Sequence, residues 1–175
     1  MMRLAAATFA LFGVCVLTAV SGAPAAGGQP IHYSLSGTAE WSSEPLVETF
    51  TIHGVLSGRA GGTYSGTLHA GPYGGPTPTC GPVCAPVTGT IDFTTPAGSF
   101  STGATGEVSE EDTASHVSYG FRLTLDIVGG TRSFSRASGE LALEYLSFRF
   151  QGGANGCFPL CPIMDSGTLT GTVIR

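Results

Sequence analysis

"SHVSYGFRLTLDIV" runs from Ser115 to Val128. Phe121, Leu123, Leu125 and Ile127 share one parity, and Arg122, Thr124 and Asp126 share the other. A period of two over this length reads as a strand with one buried and one wet face. A helix would need apolar residues three and four apart, and no stretch after residue 25 keeps that spacing for three turns.

Seven further stretches carry the same alternation. They are "IHYSLSGTAEW" (31–41), "VETFTIHGVL" (47–56), "GTYSGTLHA" (62–70), "VTGTIDFTT" (87–95), "GSFSTGATGEV" (98–108), "SGELALEYLSFRF" (138–150) and "SGTLTGTVI" (166–174). Gly, Pro or Ser clusters separate them, as turns require. In 138–150 the apolar phase shifts between Tyr145 and Leu146, which predicts a bulge. The fold class is therefore all-β. Eight short antiparallel strands either close into a barrel or split into a β-sandwich; closure removes exposed edges, but the pattern alone does not choose.

The chain opens with one arginine, Arg3, before an uncharged apolar run from Leu4 to Val20. Ala23-Pro24-Ala25 follows with the small-x-small spacing of a cleavage site. This is the layout of a secretory signal peptide over 1–25, which leaves 26–175 as a single domain outside the cell. No second apolar run is long enough to span a membrane. The chain has no Lys, and its remaining six Arg face twelve Asp and Glu. A net charge near −6 with no basic cluster argues against nucleic acid and anionic membrane as partners.

The order strand, Gly-rich turn, strand, cysteine loop, strand occurs twice. "FTIHGVLSGRAGGTYSGTL" (50–68) lines up with "FRLTLDIVGGTRSFSRASGEL" (121–141), which suggests an internal duplication of 47–95 and 118–174. Each half holds a Cys-x3-Cys loop with Pro inside it: Cys80 and Cys84, then Cys157 and Cys161. An even set in a secreted chain reads as two disulfides. Of three pairings, the local one (80–84 and 157–161) is favoured, because duplicated loops solve the same problem separately. Crossed pairing between the loops is the rival. A four-thiolate zinc site fits the spacing but not the oxidising compartment.

"VGGTRSFSRASGELAL" (128–143) resembles a motif of the allene oxide cyclase and dirigent barrels, and of small secreted bacterial proteins like them. Gly129, Gly130, Thr131, Phe134, Ala137 and Gly139 match it, and Arg132 stands where the motif usually has Gly. The resemblance implies an eight-stranded antiparallel barrel, often oligomeric. It transfers no activity. Read physically, the two glycines would permit positive φ in a tight hairpin, and the aromatic would fold back over the barrel end.

Function is less legible. His32, His53, His69 and His116 show no ligand spacing, so no metal or other cofactor is expected. "SEEDTASH" (109–116) reads as a solvated acidic turn. His53, Asp126 and Glu144 are the candidate polar residues of a barrel lumen. With them the chain would be an isomerase or cyclase acting on an apolar small molecule. No nucleophile elbow or phosphate loop is present. The favoured expectation is a non-catalytic binding or structural protein.

Overall fold

A computed structural model describes residues 28–44, 46–75, 83–112, 116–150 and 163–175. The segment read as a signal peptide, and Cys80, Cys157 and Cys161, lie outside the described residues. Eight strands form one closed antiparallel barrel in chain order. They are β1 (Gln29–Glu44), β2 (Val47–Gly58), β3 (Gly62–Ala70), β4 (Cys84–Thr95), β5 (Gly98–Asp112), β6 (His116–Gly130), β7 (Glu140–Phe150) and β8 (Ile163–Val173). Each strand predicted from the alternation is present, and the sandwich alternative falls, because β1 pairs with both β2 and β8.

Parity decides which side chains turn inward. Phe50, Ile52 and Leu56 of β2, Ile91 and Phe93 of β4, and Phe121, Leu123 and Leu125 of β6 are all buried. Leu141, Leu143, Leu169 and Val173 complete the opposite wall. The aromatic rings meet across the interior: Phe50 lies 5.0 Å from Phe121, edge to face. These two residues head the segments read as duplicates, and β2–β4 and β6–β8 occupy opposite halves of the barrel.

A barrel this narrow brings backbone close to its aromatic fill. Gly37 of β1 is paired with Gly54 of β2. A Cβ on Gly37 would come within 2.1 Å of the His53 carbonyl oxygen and 2.6 Å of the Tyr64 hydroxyl. Only glycine fits where these strands and that ring pack.

One end of the barrel is shut. The β6–β7 connection carries a 3-10 turn, Arg132–Phe134, and Phe134 is 2% exposed. Its ring sits 5.0 Å from Phe100, which stacks on Phe93 at 4.9 Å. The aromatic does fold over the barrel end. The glycines act differently from the expectation. Neither Gly129 nor Gly130 has positive φ. A Cβ at Gly130 would instead strike the Phe134 carbonyl oxygen at 2.4 Å. The left-handed residue is Arg132, with φ 51°, at the position where the resembled motif carries Gly. Left-handed backbone costs a non-glycine residue about 1–2 kcal/mol, partly offset by glycine's greater freedom when unfolded. Arg132→Gly should therefore stabilise the barrel by about 0.5–1 kcal/mol. A urea midpoint equal to or below that of the parent would contradict this.

The bulge also lies elsewhere. Pairing between β7 and its neighbours runs without interruption through Tyr145 and Leu146. Leu146 is an outward apolar residue, 37% exposed, while Leu141, Leu143, Tyr145 and Ser147 keep the inward phase. The register shift falls between Ser101 and Thr102 of β5, opposite Gly129 and Ile127, so Val128 is the extra residue and is 70% exposed.

Candidate functional site

The three residues expected in the lumen face out. His53, Asp126 and Glu144 are exposed, and strand parity is the reason. Each sits between two inward or glycine positions: His53 follows buried Ile52, Asp126 follows Leu125, and Glu144 follows Leu143. His53 Nε2 bonds Thr38 Oγ1 at 3.0 Å on the outer face, and His69 Nδ1 bonds Thr49 Oγ1 at 3.1 Å. Among the described residues no three His, Cys, Asp or Glu side chains form a metal-sized cluster.

The polar groups that do face inward were not anticipated. Glu110 of β5, Tyr119 of β6, Ser147 of β7 and Asp165 of β8 are successive partners in register. They form one polar row across four strands. Asp165 is 5% exposed and accepts a hydrogen bond from the Tyr145 hydroxyl at 2.8 Å. The Tyr145 hydroxyl lies 3.1 Å from that of Tyr64 on the far wall. Burial raises the pKa of Asp165, and Ser147, Tyr145 and the distant His53 pull it back only in part. Burial likewise raises Tyr145 and Tyr64. The network spans the interior and satisfies two tyrosine hydroxyls, and among the described residues Ser147 Oγ and Asp165 Oδ1 are buried with no hydrogen-bond partner.

Its pH consequence has a definite sign. The native pKa of Asp165 exceeds the unfolded value, so the native state holds the proton more tightly. Glu110 shifts the same way, through burial first and then the carboxylates of Glu48 and Asp112. Their contribution is complete below the ordinary carboxylate range and is lost as pH rises through the raised native values. Stability measured by urea unfolding should decline over that window, and Asp165→Asn should make the decline shallower. Parallel profiles for the parent and the variant would contradict the assignment.

The acidic run Glu110–Asp112 is the last part of β5 and not a free turn. It stands at the end of the barrel opposite Phe134. The strand ends flanking both cysteine loops, β3 to β4 and β7 to β8, are at this same end, four strands apart. The base of the first loop is tied down. Gly74 N–H donates to the Cys84 carbonyl at 2.7 Å, and Tyr73 donates its hydroxyl to Glu48 Oε2 at 2.8 Å. Cys84 is buried, 4% exposed. At the same end of the barrel Leu46 is 77% exposed with φ 78°, and Val47 and Val83 are 41% and 39% exposed.

Two concavities mark the outer wall near this end. The first, about 440 Å³, crosses β5 to β8. Its lower edge is a charged row, Glu107, Arg122, Glu144 and Thr168, each opposite the next in register. Its floor is the row Ser109, Gly120, Leu146 and Ser166, where Gly120 contributes only backbone. The second, about 270 Å³, lies at the base of the first cysteine loop against Gly74, Cys84 and Pro86, and shares Glu107 with the first. Arg122, read from the sequence as part of the wet face of its strand, is exposed on this wall. Compared with family models, curated proteins and solved structures, the chain matches none.

Proposed function

We propose that the protein is a secreted, disulfide-containing barrel of the allene oxide cyclase and dirigent type, acting by binding and not by catalysis. Recognition is assigned to the end that carries the two Cys-x3-Cys loops. One observation carries the reading: the interior is filled by side chains that are almost fully buried, while both cysteine loops leave the same end. A filled barrel is a scaffold, and loops held on a rigid sheet are a usual seat of recognition.

Two features support the assignment. Leu46 holds a left-handed backbone with its side chain exposed, and Val47 and Val83 are exposed at the same end of the barrel. Strained, exposed apolar residues at a loop tip favour contact with a partner over stability of the free chain. Cys84 is buried at the tied-down base of its loop, a setting that suits the local Cys80–Cys84 bridge; Cys157–Cys161 is assigned by analogy. A short ring adds little global stability, so each bridge would serve to stiffen its loop. The lumen-binding isomerase or cyclase loses support because His53, Asp126 and Glu144 point to solvent.

The test is retention on washed extracellular material of the producing cells. The parent should be retained, and a variant with all four loop cysteines changed to Ser should be released while its barrel stays folded. Equal retention of both would remove the loops from the function.

A further inference from the structure

The two outer concavities meet at Glu107. Side by side they line the wall from the base of the first cysteine loop, at Cys84, to Ser166 near the start of β8, a stretch taken as one trough. At roughly 4.8 Å between strands, the part from β5 to β8 alone is about 14 Å long. We propose that this trough binds an extended, neutral oligosaccharide. The inference rests on the binding function proposed above and names its ligand class.

The lining decides the class. Arg122 stands between Glu107 and Glu144 in register, so the charges alternate and largely cancel along the row. Such a row exerts little net pull on an anion or a cation. It offers planar acceptors and a planar donor in sequence, each able to engage two neighbouring hydroxyls. Ser166 and Thr168 add hydroxyls that both donate and accept, and Ser109, whose hydroxyl donates to the Gly120 carbonyl at 3.3 Å, adds an acceptor. Within the floor row Leu146 supplies an exposed apolar side chain, suited to the C–H face of a sugar ring.

Other ligand classes fit less well. An extended peptide binds by adding a strand to a free sheet edge, and a closed barrel has none. Nucleic acid is opposed by a formal net charge of −5 and a single arginine between two carboxylates. An apolar ligand would leave this polar wall desolvated without partners. Charge itself is scarce, at 11% of the chain. What marks this wall out is the alternation of sign across three strands, Glu107, Arg122 and Glu144.

The experiment is a titration of the full-length mature protein, labelled for amide NMR, with cello-, manno- and xylo-oligosaccharides. A strand-forming peptide and an acidic oligosaccharide are added separately as probes of the other classes. The inference expects at least one neutral sugar to shift Gly120, Leu146, Ser166 and Thr168. Arg122→Ala should weaken that binding about tenfold or more, the loss of a charged hydrogen bond. Thr168→Trp should block the trough while leaving every charge in place. Shifts confined to Leu46, Val47 and Val83 would overturn the trough while keeping recognition at the loop-bearing end. No shift with any neutral sugar, or a trough response only to the peptide or the acidic sugar, would overturn the ligand class. Trough binding that survives Cys→Ser changes in both loops would keep this inference and remove the loops' role.

Discussion

Replacing Phe121 with Ala is expected to cost about 3–5 kcal/mol of folding stability. Phe121 is 2% exposed, lies 5.0 Å from Phe50 and is 6.1 Å from Tyr145. Its ring therefore joins the apolar fill to the tyrosine pair. Truncation loses the transfer free energy of the ring and leaves a cavity that a closed barrel cannot collapse around, because its radius is fixed by strand number and shear. Domains of this size are held by only about 5–15 kcal/mol, so the variant should be marginal. A urea or thermal melt is the measurement. A loss below about 1 kcal/mol would mean that the ring is not a central support of the interior.

Gly37→Ala should be the most damaging small change. The added methyl meets the His53 carbonyl oxygen at 2.1 Å and the Gly54 Cα at 2.8 Å, both backbone, and the Tyr64 hydroxyl at 2.6 Å. Backbone atoms in a closed ladder cannot step aside without breaking pairs on both flanks of β1. Overpacking of this kind costs about 1–3 kcal/mol and sometimes more. Displacing Tyr64 would also disturb its 3.1 Å contact with Tyr145. Gly129→Ala is the matched control, with nothing within 4 Å of its Cβ and no positive φ. Its melt should move little. Equal losses at the two positions would contradict the packing argument.

Much of the barrel was legible because strand parity is a local property. The run Phe121, Leu123, Leu125 and Ile127 announces β6 without any tertiary information. The same parity, followed strictly, also places His53, Asp126 and Glu144 outside, since each alternates with inward residues. Their reading as lumen groups rested on residue type and set the pattern aside. Asp165 was missed for a different reason. The predicted strand began at Ser166, three residues after the observed start at Ile163, and so left out Asp165, which shares the phase of Leu169 and Val173. Strand ends carry weak local signal.

Closure could not be read from the pattern. It depends on β1 meeting β8, a contact between the two extremes of the domain. The Gly129-Gly130-Thr131 motif did point to the barrel end, and Phe134 does cover it. The strain at Arg132 needed coordinates, although the departure from Gly at that position was the hint. The outer trough depends on register across four strands, and register between strands is set by pairing that a single sequence does not display.

A filled barrel that works from its outside should hold no small molecule within it. Its most direct test is native mass spectrometry of the protein purified from culture medium without reductant. The account predicts a chain lacking residues 1–25 and lighter by about four hydrogens than its reduced form, as two disulfides require. It also predicts that no small molecule stays bound until the chain unfolds, since a sugar on the outer wall would leave first. A small-molecule adduct released only on unfolding would place a ligand inside the barrel and contradict the account.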